Sequence, residues 1–340
     1  MANQKQIAEK LGVSIALVSR VLSGRAEEIG IAPNTMDRVE KMAAELGYVP
    51  SAAALSLKGK STRTIGVVVY DFKDPFFGTV VHHLQALAHA HNYTLLLVGF
   101  QNRIPDERDL QPLSKFNLDG IIAVGSDFVE KWPKDFSHLP CARIGHGSEK
   151  IESLKVTSDE QAGYEQLTEH LRERNLHQAV FLGAGTALHR QRSDAFEKAA
   201  AGLETTSVFD LQSEHSSFEV GRDLATQLFR QGLPEILVCG NDRIAMGAIH
   251  AATDAGIRVP EDLKVVGYDD IPAAAQFLPS LTSIRQPIAA IAKEVFDAVA
   301  CGDCPNETRL LAPELMVRRS ALCACGAIKD CGTDLSKNTR

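Results

Sequence analysis

The sequence predicts an α/β protein in which a small helical head precedes a two-lobed body built on parallel sheets. Two observations support this. Over the first 48 residues the apolar side chains recur at helical spacing. From Thr64 onward, runs rich in β-branched residues alternate with amphipathic helices, as in parallel sheets covered on both faces. More than ten such elements exceed one five-stranded sheet, so we expect two lobes.

The head should contain three helices. The first spans Gln4–Leu11, and Ser14 is suited to cap a second over Ile15–Leu22. Pro33 stands where a third helix should begin, and Gly47 where it should end. Two short helices joined by the tight turn at residues 12–13 form a helix-turn-helix, whose second helix fits the DNA major groove.

The outward face of the second helix carries the expected DNA contacts. Arg20 can donate two hydrogen bonds to guanine, whereas Ile15 and Ala16 can meet thymine methyl groups or sugar carbons. Ser14 and Ser19 complete the expected set. The charge of the head has the sign expected for binding DNA. Residues 1–62 carry eight Lys/Arg and six Asp/Glu, a net +2, within a chain of net −7.

The residues after the head are compatible with either a short helix or a linker. Ala52–Leu57 is a very short candidate helix, and residues 58–62 form a polar linker. An Ala-rich flexible linker is the simpler interpretation.

The body should contain alternating strands and helices. Strands are expected at Ile65–Val69, Leu95–Val98, Gly120–Val124, Ala179–Leu182, Ile236–Cys239 and Lys264–Val266. Helices are expected at Phe77–Ala90, Ala162–Arg174, Ser193–Ala201, Val220–Gln231, Arg243–Ala255 and Pro287–Ala300.

Ligands of parallel α/β lobes bind beyond the carboxyl ends of the strands. Polar and aromatic side chains stand at such positions: Asp71, Asp74, Phe76, Ser126, Asn241, Asp242 and Asp269. Asp269 can accept hydrogen bonds from vicinal hydroxyls, and Phe76 can stack on a ring face. Alternatively, Asn241 or Asp242 caps the next helix and Asp269 is a turn residue.

Several stretches together resemble one family. They are "IAEKLGVSIALVSRVLSG", "TMDRVEKMAAELGYVPSAAALSL" and "TIGVVVYDFKDPFF", and the resemblance runs to about Ser320. On these residues the chain is identified as a member of the lactose/galactose-repressor (LacI/GalR) family of transcriptional regulators.

The resemblance implies a division of the chain. Residues 1–49 would be the helix-turn-helix DNA-binding domain and 50–63 the hinge helix and linker. Residues 64–320 would form an effector domain with the fold of periplasmic sugar-binding proteins, followed by a tail over 321–340. The first lobe would comprise about 64–157 and 288–320, and the second about 158–287.

The resemblance also implies residue roles. Leu57 falls on the family's leucine that wedges between base pairs, and Ala54, one turn before it, allows close approach of two hinge helices. Arg192, in "RSDAF", resembles the family's arginine at a helix opening, which binds hydroxyls or a carboxylate. A surface ion pair is the alternative role for Arg192. Asp74 stands where family members often have Asn, and Ala195 where a glycine is common.

The function implied is a repressor: a homodimer that binds double-stranded operator DNA under control of a small molecule, expected to be a sugar or related polyol. No metal, cofactor or catalytic role is expected. Cys301 and Cys304 form a CxxC without paired zinc-site spacing, and GxSxG, HExxH and a complete phosphate loop are missing. The rival hypotheses are a transport solute-binding protein and an α/β enzyme.

A polar N-terminus and the lack of an apolar run of roughly 20 residues predict neither secretion nor membrane insertion. We therefore expect a cytoplasmic protein.

Overall fold

The computed structural model describes residues 2–24, 26, 30–48, 61–100, 107–125, 136, 138–145, 153–210 and 217–321. The chain divides into two compact units, residues 1–62 and 63–340. Among the described helices, none has both the length and the apolar character needed to cross a membrane.

The described residues of the first unit form a three-helix head. Its helices are α1 (Gln4–Leu11), α2 (Ile15–Val21) and α3 (Pro33–Glu45). Asn3 and Gln6 form a capping box at the start of α1, and Gly12 ends it with a φ of +66°, a left-handed conformation that glycine adopts at little cost. The three helices share a core of Ile7, Ala8, Val18, Val21, Ala26, Val39 and Ala43.

In the part of the second unit that the structure describes, the strands form two six-stranded sheets. The first sheet has the order β11-β5-β4-β3-β1-β2 and is parallel throughout. Its strands are β1 (Thr64–Val69), β2 (Thr94–Gly99), β3 (Gly120–Val124), β4 (Cys141–Ile144), β5 (Leu154–Ser158) and β11 (Thr308–Leu311).

The second sheet has the order β12-β10-β9-β8-β6-β7, with β12 antiparallel to β10 and the rest parallel. Its strands are β6 (Gln178–Ala184), β7 (Glu204–Asp210), β8 (Ile236–Cys239), β9 (Lys264–Asp269), β10 (Thr282–Arg285) and β12 (Glu314–Met316).

Helices cover both sheets. They are α4 (Pro75–Ala90), α5 (Glu107–Leu110), α6 (Glu160–Arg172), α7 (Ala187–Ala199), α8 (Phe218–Phe229), α9 (Asp242–Asp254), α10 (Pro272–Gln276) and α11 (Ile288–Cys301). In the first lobe α4 and α11 pack on one face of the sheet, while in the second lobe α8 and α9 lie on one face and α6 and α7 on the other. The predicted two-lobed α/β architecture with parallel-dominated sheets is confirmed.

The end of the body departs from the predicted division. Residues up to 320 were expected in the first lobe after residue 287, but β12 pairs with β10 of the second sheet. Ser320 then donates its Oγ hydrogen bond to the Val265 carbonyl oxygen, at 2.6 Å. Within the described residues, the chain therefore crosses between the lobes three times: at 159, at 286–287 and at 312–313.

Candidate DNA-binding face and effector site

The second helix of the head presents the predicted DNA-contacting residues to solvent. Ser14 caps α2 by accepting a hydrogen bond from the Leu17 amide at 3.1 Å. Ile15 is 49% exposed, Ala16 and Arg20 are also exposed, and Ser19 is half-buried. Because Val18 and Val21 are buried against the other helices, the opposite face of α2 is the one available for binding.

Three predicted site residues lie outside the described part of the chain. They are Ala54 and Leu57 of the expected hinge and Ser126 after β3.

In the first lobe, the polar residues after β1 shape the turn into α4. The carboxylate of Asp71 accepts a hydrogen bond from the Lys73 amide at 2.9 Å. Asp74 caps α4, with its Oδ1 accepting from the Phe76 amide at 3.0 Å. Both aspartates thus stand at the carboxyl end of the strand, as predicted, and they also hold the local backbone.

In the second lobe, Asn241 caps the helix that follows β8. Its Oδ1 accepts a hydrogen bond from the Ile244 amide at 3.0 Å. The capping role weighed for this residue is therefore present, and the residue is buried.

Asp242 lies buried inside the second lobe. It is 1% exposed; its Oδ1 accepts from Ser283 Oγ at 2.6 Å and its Oδ2 from the Ile271 amide at 2.7 Å. Burial raises the pKa of this carboxyl well above its ordinary value. Both oxygens already have protein partners, so the structure corrects the prediction: Asp242 ties α9 to the loop after β9 and to β10.

Arg192 is the centre of the second lobe's polar cluster. Its Nε donates to Glu160 Oε1 at 3.3 Å, its Nη1 to the Gly240 carbonyl oxygen at 2.7 Å and its Nη2 to Asp269 Oδ1 at 3.1 Å. The guanidinium carbon also lies 3.8 Å from the centre of the Tyr268 ring, a cation–π arrangement. With only 3% of its surface exposed, Arg192 is not a surface ion pair.

Arg192 is not at a helix opening, in contrast to the prediction. The helix α7 begins at Ala187, because the Thr186 hydroxyl caps it by accepting from the His189 amide at 3.2 Å. Arg192 is thus in the second turn. Side chains of a helix tilt toward its N-terminus. The N-terminus of α7 lies at the carboxyl ends of the parallel strands of the second sheet, so the side chain of Arg192 tilts toward these ends.

Three residues of the cluster escaped the sequence analysis. Glu160 opens α6 after β5, Gln286 follows β10, and Tyr268 lies within β9. Gln286 donates to Asp269 Oδ1 at 2.7 Å. The rule that ligands gather beyond strand ends would have singled out Glu160 and Gln286, but neither β5 nor β10 was predicted.

The two lobes meet at the predicted residues of the first lobe. Arg243, in the first turn of α9, lies 3.6 Å from Asp74 Oδ2. Phe76 packs against the hydrophobic cores of both lobes. Burial is the main cause of the raised pKa of Asp269, and the charge of Asp74 adds to it, so the two carboxylates are within electrostatic range of each other.

Burial sets the charge states of the cluster. Loss of solvent raises the pKa of Asp269 to about 6, against the opposing effect of Arg192. Burial also raises the pKa of Asp74. Burial lowers the pKa of Arg192, but the nearby carboxylates of Glu160 and Asp269 raise it by more. The pKa of Arg192 therefore lies above its ordinary value. Burial, followed by the nearby Arg192, lowers the pKa of His189 to about 3, so this ring is uncharged at neutral pH.

Within the described residues, no three His, Cys, Asp or Glu side chains are grouped so as to hold a metal ion. Cys301 is exposed and Cys304 half-buried, both as free thiols.

The comparisons with known proteins agree with the two units. Residues 4–51 match the family described as bacterial regulatory proteins, lacI family, and residues 168–321 match the periplasmic binding protein-like domain. The HTH-type transcriptional repressor PurR of Mannheimia succiniciproducens is 30% identical over 333 residues, which covers 94% of this chain and 98% of that protein. PurR of Aliivibrio fischeri is 30% identical over 336 residues, covering 95% and 99%.

Solved structures share the fold. A lac repressor dimer bound to operator and the anti-inducer ONPF has a TM-score of 0.79 at 23% identity, covering 94% of this chain and 99% of that one. A LacI family regulator from Arthrobacter in complex with lactose has a TM-score of 0.67 at 18% identity, covering 76% and 99%. The resemblance noted on the sequence motifs is thus found independently over nearly the whole chain.

Proposed function

Since the chain belongs to the lacI family of bacterial regulatory proteins, we propose that it is a homodimeric repressor that binds operator DNA through residues 1–49 and a small effector through residues 64–320. It is a sequence-specific DNA-binding transcriptional regulator controlled by a small molecule. We place it in the cytoplasm, where its DNA is. The relatives described above are repressors rather than enzymes, and we assign the chain no catalytic role.

The exposed face of α2 is the observation that carries the proposal. Ser14 fixes the start of this helix, buried Val18 and Val21 fix its rotation, and Ile15, Ala16 and Arg20 remain accessible. A short helix held in this way can enter the major groove with its outward side chains against base edges. Arg20 would read a guanine, and Ile15 and Ala16 would favour thymine methyl groups.

Two copies of the head would read two half-sites. A closed dimer has two-fold symmetry, so its operator should be a pseudo-palindrome. In this proposal residues 50–63 form the hinge, Ala54 allows two hinge helices to approach, and Leu57 wedges between base pairs.

The effector would bind where the lobes meet. In this proposal Asp71, Asp74 and Phe76 would contribute contacts from the first lobe and Arg192, Asn241 and Asp269 from the second, and Ser126 would be a further contact. A sugar or related polyol suits this site, because its hydroxyls can satisfy buried polar groups and its ring faces can contact Phe76. The Arthrobacter neighbour, solved in complex with lactose, supports a carbohydrate.

Control would arise from linkage between effector and DNA. A ligand that binds one relative arrangement of the lobes more tightly shifts the population toward it. If that arrangement also changes the spacing of the two hinges, DNA affinity changes by a coupling free energy, typically about 1–3 kcal/mol.

The test is selection of DNA by the full-length protein from fragments of its own genome, followed by footprinting. We expect enrichment of a pseudo-palindromic sequence whose affinity falls steeply with salt, because phosphate contacts release counterions. Failure to prefer any fragment over random duplex would contradict the proposal.

A further inference from the structure

The charges around Arg192 suggest a selectivity of the proposed effector site. One buried guanidinium faces two carboxylates, Glu160 and Asp269. Arg243 is paired with Asp74, and His189 is uncharged at neutral pH. The positive charge that would attract an anionic ligand is therefore already balanced within the protein.

We infer that Glu160 is a specificity-determining residue: by holding Arg192, it closes the effector site to phosphorylated or carboxylated ligands and favours uncharged ligands that donate hydrogen bonds to Asp269. The inference rests on the proposed function, because it concerns the ligand of that same site.

Geometry explains why Glu160 has this effect. Its carboxylate occupies the Nε side of Arg192, while Gly240 and Asp269 engage the two terminal nitrogens. To form two parallel hydrogen bonds with the guanidinium of Arg192, an anionic ligand would have to displace the carboxylate of Glu160 or of Asp269. The displaced carboxylate would remain buried without its cation, which is strongly destabilising.

Asp269 defines what the site accepts instead. Its Oδ1 receives hydrogen bonds from Arg192 and Gln286, whereas its Oδ2 has no donor among the residues that the structure describes. The side chain is 9% exposed. A hydroxyl or N–H group of a ligand would complete the hydrogen bonds of this carboxylate, whereas a phosphate would be repelled by it.

The experiment compares the wild type with Glu160→Gln in the full-length protein. Gln keeps the size of the side chain and removes its charge. Glu165→Gln is the matched control, because Glu165 is an exposed residue of the same helix. The readout is the Tm in inorganic phosphate relative to sodium chloride of equal ionic strength.

A second arm uses neutral and phosphorylated pairs: glucose and glucose 6-phosphate, ribose and ribose 5-phosphate, adenosine and AMP.

We expect phosphate to leave the Tm of the wild type and of Glu165→Gln unchanged relative to chloride, and to raise that of Glu160→Gln by several degrees. In any pair that binds, the neutral member should be preferred at least tenfold by the wild type, and the preference should shrink at least tenfold in Glu160→Gln.

Two results would overturn the inference: a phosphate-specific rise in the wild type that is lost in Arg192→Gln, or a phosphate response of Glu160→Gln equal to that of the wild type. If Glu160→Gln does not fold, the comparison of the wild type with Arg192→Gln, in phosphate and with the ligand pairs, still tests the inference. DNA selection by the same wild-type sample tests the proposed function separately. A sample that selects a genomic site yet prefers phosphorylated ligands would refute only the role of Glu160.

Discussion

Arg243 Nη1 lies 3.6 Å from Asp74 Oδ2, and this ion pair joins the first turn of α9 in the second lobe to the N-cap of α4 in the first. The pair lies at the junction where we place the effector. Burial nevertheless outweighs the attraction of Arg243, since the pKa of Asp74 is raised. The pair therefore aligns the two lobes without strongly stabilising the chain.

Asp74 has two roles that substitution can separate. Asn is as good an N-cap as Asp, so Asp74→Asn should change the free energy of unfolding by less than about 1 kcal/mol. Asp74→Ala loses both cap and ion pair and should cost about 1–2 kcal/mol. Urea denaturation of both variants measures the difference. Equal losses in the two would show that the ion pair, and not the cap, carries the stability.

Asp269 should make stability depend on pH. Its pKa in the folded protein is about 6, whereas an unfolded aspartate titrates near about 3.9. The folded chain holds this proton more tightly, so the associated stabilisation is present below about pH 4 and is lost as the pH rises to about 6.

Between these pH values the free energy of unfolding of the wild type should fall relative to Asp269→Asn by up to about 3 kcal/mol. Chemical denaturation at intervals of half a pH unit provides the measurement. Asp262→Asn serves as the control, because the hydrogen bonds from Arg258 lower the pKa of this exposed carboxyl to about 2. A parallel pH profile for wild type and Asp269→Asn would contradict the raised pKa.

Arg20→Ala should weaken specific DNA binding by about 1–3 kcal/mol and leave binding to random duplex nearly intact, because the proposed forked contact with guanine would be lost. The measurement is a fluorescence-anisotropy titration on the selected operator and on a scrambled duplex. Lys198→Ala removes one exposed positive charge from α7 in the body and should affect neither. An equal loss on both duplexes would assign Arg20 to phosphate rather than base contact.

The two long helices α8 and α9 touch through glycines. A Cβ added at Gly247 would press on the backbone of Phe218 and come within 2.7 Å of the Arg222 nitrogen. Gly247→Ala should therefore cost about 1–3 kcal/mol through overpacking.

Gly78→Ala is the matched control for this substitution. Its added Cβ would meet nothing within 4 Å, on helix α4, and the exchange should stabilise the chain by about 0.5–1 kcal/mol. Thermal denaturation of both variants gives the comparison. A loss in Gly78→Ala as large as that in Gly247→Ala would show that helix geometry, and not close packing, is responsible.

The sequence predicted the head and the most apolar strands closely. The helix α1 and the strands β3 and β8 have the predicted limits, because capping residues or continuous apolar runs mark them. The helix α7 begins six residues before its predicted start at Ser193. Its first two turns carry His189, Arg190 and Arg192, and these polar residues interrupt the apolar pattern that would have predicted the helix start.

The missed strands explain the missed site residues. The strand β5, "LKVTS", is short and contains Lys155, and β10, "TSIR", ends in a charge, so neither stands out as an apolar run. Glu160 and Gln286 follow these strands. One partner of Arg192 (Glu160) and one partner of Asp269 (Gln286) were thus missed, because local periodicity does not reveal which strands the sheet brings side by side.

The three crossings between the lobes, at 159, 286–287 and 312–313, limit how one lobe can move. Every displacement must be shared by three backbone segments, two of which follow the neighbouring strands β5 and β11 of the first sheet and one of which follows β10 of the second. A twist or bend distributed over all three is possible, whereas sliding one sheet along the other would stretch at least one of them. In the proposed function, an effector bound between the lobes would therefore act on the angle between them rather than on their offset.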